Sequence, residues 1–104
     1  MTKFVLAYTG GSVPDTEEQQ KAVMDAWMSW FGQLGAAIVD GGAPFSNSST
    51  VGSDGAVSTS GASKLTGYSV VDADGLDAAV AMAKGCPVLA NGGSLEVYET
   101  FQAM

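Results

Sequence analysis

One segment, residues 15–34, constrains the fold of this chain more than any other. At about 100° per residue, the repeat of an α-helix, its apolar side chains gather in an arc roughly 200° wide, well beyond the arc of about 100° typical of a surface helix. One small sheet does not cover so wide an arc, so either a second subunit or a ligand cavity faces the remainder. The arc contains Val23, Met24, Ala26, Trp27, Met28, Trp30, Phe31 and Leu34.

The other predicted elements are apolar runs separated by glycine-rich breaks. Asp15 or Thr16 caps the long helix, and Gly35 ends it. The remaining elements are strands at 3–9, 36–39, 65–72 and 94–101, a turn at 40–44, a hairpin of strands 50–51 and 57–58, and a second helix that Asp74 caps and that stops at Gly85 and Pro87.

The order of these elements predicts the fold class. Strand, helix, strand, small hairpin, strand, helix and strand form the split βαβ pattern of a ferredoxin-like α+β fold. Both helices then lie on one face of a mostly antiparallel sheet, and residues 1–104 form a single domain. The helix-free face also needs a cover, and two such sheets packed face to face make a dimeric α/β barrel.

The composition excludes several classes of function. The chain has no histidine, four lysines as its only basic residues, 11 acidic residues and a net charge of −7. Neither nucleic acid nor an anionic membrane surface attracts such a protein. Without histidine, and with Cys86 as the only cysteine, we predict no histidine-dependent triad, no metal site and no disulfide. We expect a soluble cytoplasmic protein without a cofactor.

The second half of the chain resembles a known family. The residues are Gly67-Tyr-Ser-Val-Val-Asp-Ala-Asp-Gly-Leu-Asp-Ala-Ala-Val80, Ala83-Lys-Gly-Cys-Pro87 and Gly92-Gly-Ser-Leu-Glu-Val97. They resemble the YCII-related family, in its DGPF-type branch. In the first half, the long helix and Ile38-Val-Asp-Gly-Gly42 agree with it. The resemblance implies a small ferredoxin-like protein that forms a dimeric α/β barrel, and most members have no assigned activity.

The chain departs from the family pattern at two places. The segment Ser58-Thr-Ser-Gly-Ala62 stands where the Asp-Gly-Pro-Phe tetrapeptide falls. Some members of the wider family have a histidine on the first helix, proposed to act with an aspartate as a catalytic dyad. Met24 or a neighbour occupies that place here. The resemblance therefore favours the fold and the dimer over dyad chemistry.

Asp40 is the candidate catalytic residue, because it ends a predicted strand just before two glycines. A carboxylate in a cleft under the long helix can act as acid or base. The structural alternative is a turn aspartate that accepts hydrogen bonds from nearby backbone N–H groups. Tyr8 and Tyr68 lie on predicted central strands, and we expect their hydroxyl groups either to enter a shared cleft near Asp40 or to pair at the sheet edge.

The two tryptophans of the long helix, Trp27 and Trp30, are candidate ligand-binding residues. Their structural alternative is packing in the core and between subunits. The resulting hypothesis is a homodimer that is non-catalytic or binds a small apolar or aromatic ligand. The alternative is a cofactor-free enzyme (a lyase, an isomerase or a dehalogenase-like protein) with Asp40 as its acid or base. A third hypothesis is an accessory module for a regulatory partner.

Overall fold

The computed structural model of the chain describes residues 2–11, 15–59 and 64–102. A short 3-10 turn at Gly35–Ala37 joins the first helix to the second strand. The elements, in chain order, are β1 (Thr2–Thr9), α1 (Glu17–Leu34), β2 (Ile38–Pro44), β3 (Thr50–Val51), β4 (Val57–Ser58), β5 (Leu65–Ala73), α2 (Leu76–Ala83), α3 (Pro87–Ala90) and β6 (Ser94–Glu99).

Four of the strands form one antiparallel sheet in the order β2-β5-β1-β6, and β3 pairs with β4 in a separate hairpin. The predicted α+β class is confirmed, and the strand order is consistent with a ferredoxin-like fold. The predicted hairpin is also confirmed, with Thr50 opposite Ser58 and Val51 opposite Val57.

The ends of α1 follow from local chemistry. The Thr16 hydroxyl accepts a hydrogen bond of 3.1 Å from the backbone N–H of Gln19, which satisfies one of the free donors of the first turn. Glu17 and Glu18 follow at the positive end of the helix dipole. Gly35, with a φ of +53°, ends the helix, and its N–H donates to the carbonyl of Phe31.

The structure corrects several of the predicted boundaries. Residues 36 and 37 lie in the 3-10 turn and not in the second strand, and the last strand ends at Glu99 and not at residue 101. The second strand does not end before the glycines: β2 runs through Asp40 to Pro44, because irregularities in its pairing with β5 absorb the extra residues. Asp74 does not cap α2, since Gly75 occupies the cap position without a side-chain hydrogen bond. Pro87 does not only stop a helix: it begins the short helix α3, where its missing N–H costs nothing.

The core lies between one face of the sheet and the helices. On β1 the side chains alternate, so Phe4, Leu6 and Tyr8 face α1 and α2, and Val71 of β5 joins them. Full burial of a side chain such as Phe4 or Leu6 contributes about 1.5–3 kcal/mol. The buried cluster consists of Phe4, Leu6, Tyr8, Trp30, Val71, Ala73, Ala79, Ala83, Cys86 and Val88.

The opposite face of the sheet has no helix on it among the described residues. In the strand register, Val5 lies opposite Val70 and Tyr98, and Ala7 lies opposite Tyr68 and Glu96. We call this surface, made by Val5, Ala7, Tyr68, Val70 and Tyr98, the open sheet face. No helix in the described part of the chain combines the length and the apolar character that crossing a bilayer requires.

Candidate functional site

Asp40 lies on β2, the edge strand next to β5, and its side chain is exposed. Its Oδ1 accepts a hydrogen bond of 2.8 Å from the backbone N–H of Gly42, as the structural alternative predicts for a turn aspartate. Its Oδ2 accepts a second hydrogen bond, of 3.3 Å, from the Tyr68 hydroxyl. The carboxylate is therefore held at two points, outside any cleft beneath α1.

Tyr68 is held by a third residue, which sequence reasoning did not single out as a site residue. The rings of Phe45 and Tyr68 stack with their centroids 5.9 Å apart and their planes at 23°. Phe45 immediately follows β2, and its N–H donates to the carbonyl of Thr66 on β5, over 2.9 Å. Asp40, Phe45 and Tyr68 thus form one group at the β2 side of the open sheet face, with a carboxylate beside two rings.

Tyr8 is not part of that group, so both expectations for the two tyrosines, a shared cleft and a pair at the sheet edge, are wrong. In the register, Tyr8 pairs with Gly67 and not with Tyr68. Neighbouring residues on a strand point to opposite faces, and Tyr8 therefore lies on the helix side. Its hydroxyl donates a hydrogen bond of 2.8 Å to Ser69 Oγ, and burial raises the pKa of this phenol well above its ordinary value.

The space between α1 and the sheet is filled by aromatic rings. Trp27 packs edge-on against Tyr8 with ring centroids 5.2 Å apart, and against Trp30 at 5.7 Å. Phe31 lies 5.4 Å from Trp30. The buried Trp30 donates from Nε1 to the carbonyl of Met82 over 3.1 Å. These contacts are those of the packing alternative, and the ligand-binding roles of both tryptophans stay predictions.

Among residues 2–11, 15–59 and 64–102, nothing covers the outer part of the apolar arc. Met24 and Met28 are 64% and 68% exposed, whereas Trp27 and Phe31 of the same arc are half-buried. The sheet therefore covers the inner side of α1 alone, as the width of the arc predicts.

A groove of about 740 Å³, open to solvent, lies on the helix side between α1 and residues 84–91. Sequence analysis does not predict this groove, because it does not predict α3, which forms one of the walls. Asp40, Tyr68 and Phe45 do not line it. Its walls include Ala26, Ser29, Trp30, Lys84, Cys86 and Leu89.

Ser69 is the second residue that sequence reasoning did not place. The chain has no histidine to activate it as a nucleophile, and the structure buries it completely between two hydrogen-bond partners. Its Oγ donates to the carbonyl of Gly41 over 2.7 Å. A serine among apolar residues of a central strand is the signal that was available. In the described residues, no three His, Cys, Asp or Glu side chains gather as metal ligands.

Comparison with known proteins agrees with this architecture. No family model matches the chain, and no curated protein matches it. Among solved structures, it is similar to 5-chloro-2-hydroxyhydroquinone dehydrochlorinase from Burkholderia phenoliruptrix, determined in complex with 2,5-dihydroxybenzoquinone. The similarity has a TM-score of 0.56 at 17% sequence identity and covers 96% of this chain and 93% of that one. At this identity, the similarity shows a related fold.

Proposed function

We propose that the protein is a YCII-related homodimer in which two copies pack through their open sheet faces and bind a small apolar or aromatic ligand. The main support is the amount of surface that a single copy exposes. One chain of 10.5 kDa has 7122 Å² of accessible surface, whereas a folded monomer of this mass exposes about 5,400 Å². The excess is larger than the roughly 800 Å² that each partner buries in an interface of standard size.

The shape of the chain explains this excess. Its radius of gyration is 15.1 Å, against about 13 Å for a compact domain of this length. The smallest of its three dimensions is 18 Å, because one layer of helices lies on one layer of sheet. A second copy on the open sheet face supplies the layer that the flat shape lacks.

The open sheet face has the chemistry of an interface between copies. Val5 and Val70 lie opposite each other at its centre, and Tyr98 beside them is 52% exposed. The valines lie on the two central strands, and the acidic side chains of Asp40 and Glu96 lie on the edge strands β2 and β6, which follows the usual arrangement of an apolar interface core and a polar rim. Because a homodimer interface is built from the same patch twice, this central apolar strip meets its own copy across the twofold axis.

The group of Asp40, Phe45 and Tyr68 defines the ligand that we propose. The stacked rings present flat apolar surface, and the carboxylate beside them is a hydrogen-bond acceptor. A carboxylate offers about four acceptor positions, of which the contacts with Gly42 and Tyr68 occupy two. A ring with a hydroxyl donor fits this set. The neighbour in the structural comparison binds a dihydroxylated ring, which supports the same class of ligand.

The dimer is tested by sedimentation velocity at micromolar concentration. The unmodified chain should sediment with twice its chain mass, and Val70→Lys should sediment as a folded monomer, because it places a charge at the centre of the proposed interface. Met28→Lys is the matched control on the outer side of α1 and should remain a dimer. A stable monomer of the unmodified chain contradicts the proposal, and so does a monomeric Met28→Lys beside a dimeric Val70→Lys.

The ligand class is tested by titrating hydroquinone, a neutral ring with two hydroxyl groups at pH 7, and following backbone amide shifts. The largest shifts should fall on residues 40–45 and on Tyr68. Asp40→Asn should weaken binding at least about tenfold, the equivalent of one charged hydrogen bond, whereas Tyr98→Phe on the same face should not. Shifts confined to the groove between α1 and α3, or no binding, contradict this assignment.

One observation favours the enzyme alternative, since the similar solved structure is that of a dehydrochlorinase. In that case Asp40 takes or returns a proton at the bound ring, and Tyr68 orients the carboxylate. Incubation of the protein with a chlorinated hydroquinone, with chloride release as the measurement, separates the two functions. Release that Asp40→Asn abolishes establishes the enzyme, and binding without release supports the non-catalytic protein.

A further inference from the structure

The part of β2 that contains Asp40 departs from regular pairing with β5. Ile38 pairs with Val71, Asp40 with Val70, and Ala43 with Tyr68. On each side of Asp40, β2 therefore has one residue more than the paired stretch of β5. Gly41 and Gly42 have no partner in the register. An irregular strand loses ladder hydrogen bonds, so other groups must hold this segment in place.

Two consecutive residues of β5 hold it from the two faces of the sheet. On the open sheet face, the Tyr68 hydroxyl donates to Asp40 Oδ2 over 3.3 Å. On the helix face, Ser69 Oγ donates to the carbonyl of Gly41 over 2.7 Å. Neighbouring residues of β5 therefore hold neighbouring residues of β2.

The direction of each hydrogen bond on the helix face follows from the number of protons that each group can donate. The Tyr8 hydroxyl has one proton and donates it to Ser69 Oγ over 2.8 Å. Ser69 Oγ is thus an acceptor toward Tyr8, and its own single proton is free for the Gly41 carbonyl. Ser69 has no exposed surface, so no water replaces either contact. Burial keeps the Tyr8 phenol protonated, because it raises the pKa of that group.

We propose that Ser69 is a positioning residue for Asp40: its buried hydroxyl, oriented by Tyr8, holds the Gly41 carbonyl from the helix face and thereby keeps the Asp40 carboxylate on Tyr68 across the sheet. This inference rests on the proposed function only for the role of Asp40 in ligand binding. The hydrogen bonds through which Ser69 acts are independent of the ligand and of the oligomeric state.

The test uses the backbone N–H of Gly42, which donates to Asp40 Oδ1 and reports the position of the carboxylate. Hydrogen exchange and the amide proton shift of Gly42 are measured in the full chain and in three variants. Ser69→Ala removes the hydroxyl that holds Gly41. Tyr8→Phe removes its upstream donor, together with the contact between the Tyr8 hydroxyl and Cys86. Val71→Ala is the matched control, because Val71 is equally buried on the same face of β5 but makes no such contact.

Ser69→Ala should raise the exchange rate of the Gly42 amide at least about tenfold relative to the other amides of β2 and β5, which corresponds to one lost hydrogen bond. The Gly42 proton should also move upfield. Tyr8→Phe should have a smaller effect in the same direction, because the bond from Ser69 to Gly41 survives. Val71→Ala should lower the protection of all these amides together, without singling out Gly42.

If Ser69→Ala does not fold, Ser69→Cys replaces it, since a thiol has a similar volume and is a weaker donor. Ser69→Cys should change the exchange rate and the proton shift of the Gly42 amide in the same direction as Ser69→Ala, but by less. The inference is overturned if the Gly42 amide exchanges in the Ser69 variant as it does in Val71→Ala. This holds whatever the outcome of the sedimentation and titration experiments. A failure of those experiments, with Gly42 responding as described, instead refutes the proposed function and leaves the positioning role in place.

Discussion

The Tyr68 hydroxyl donates a hydrogen bond to Asp40 Oδ2 across two neighbouring strands, over 3.3 Å. The two residues are 28 positions apart in the chain, and β2 and β5 bring them together at the edge of the sheet. The pair lies on the open sheet face, away from the aromatic residues beneath α1. Both proposals about this protein depend on that placement.

The backbone beside Asp40 tolerates no side chain at position 42. Gly42 has a φ of +76°, and a Cβ built there would lie 1.6 Å from the carbonyl oxygen of Tyr68. Gly42→Ala should therefore lower the free energy of unfolding by at least about 3 kcal/mol, because β2 must separate from β5. Gly55→Ala is the matched control. Its φ is +87°, but a Cβ built there meets no atom of the described residues within 4 Å apart from its chain neighbours, so we expect a loss of about 1 kcal/mol.

Urea unfolding of both glycine variants measures these differences. Equal losses for Gly42→Ala and Gly55→Ala would show that conformational strain alone matters at position 42. That result would contradict the close approach of β2 and β5 behind Asp40.

Trp30 should contribute more to stability than Trp27. Trp30 is buried and donates a hydrogen bond from Nε1 to the Met82 carbonyl, whereas Trp27 is half-buried. Trp30→Phe removes the indole donor from that carbonyl, which still accepts from the Gly85 N–H, and it opens space in the core, so we expect a loss of about 3 kcal/mol. Trp27→Phe should cost about 1 kcal/mol. Chemical denaturation checks this order, and the reverse order would refute the described packing of α1.

The stability of the protein should fall at alkaline pH. Burial raises the pKa of Tyr8 and that of Cys86 above their ordinary values. The unfolded chain then loses these protons first, so the stabilisation is complete below about pH 8.5 and declines as the pH rises toward the folded-state values. In Tyr8→Phe, the free energy of unfolding should fall less steeply with pH, by up to the slope that one titrating proton per chain produces.

Urea midpoints measured between pH 7 and pH 10.5 test this linkage. Tyr98→Phe is the comparison, because Tyr98 is exposed and hydrogen-bonded to Glu96, and water screens such a pair. Its decline should remain closer to that of the unmodified protein. An identical alkaline slope for Tyr8→Phe and the unmodified protein would show that Tyr8 is not buried as described.

Features that depend on near neighbours in the chain could be predicted from the sequence. The apolar repeat of α1, its start after Thr16 and its end at Gly35 are set within a few residues. The hairpin around Asp54 follows from its turn residues. The alternation along β5, with Tyr68 and Ser69 on opposite faces, follows from the two-residue period of a strand. The order of these elements was enough to predict the α+β class.

The site could not be predicted in the same way, because it depends on strand register. The sequence left open whether Asp40 lies in a cleft under the helix or in a turn, and it predicted Tyr8 and Tyr68 close together. Pairing with β5 instead puts Tyr8 on one face and Asp40 with Tyr68 on the other. A shift of one residue in the register reverses the face of every following side chain. No local pattern around Gly41 specifies where such a shift falls.

By itself, the sequence determined the two longer helices and the approximate positions of most strands, the acidic charge and the excess of apolar surface on α1. Periodicity and helix caps depend on interactions between residues a few positions apart. They can therefore be recognised without knowing how the rest of the chain folds. Only the tertiary structure decided that the irregular part of β2 is held by Tyr68 and Ser69 from opposite faces, and that rings fill the space beneath α1. Those contacts join distant residues, and the packing of the whole sheet sets the distances between them.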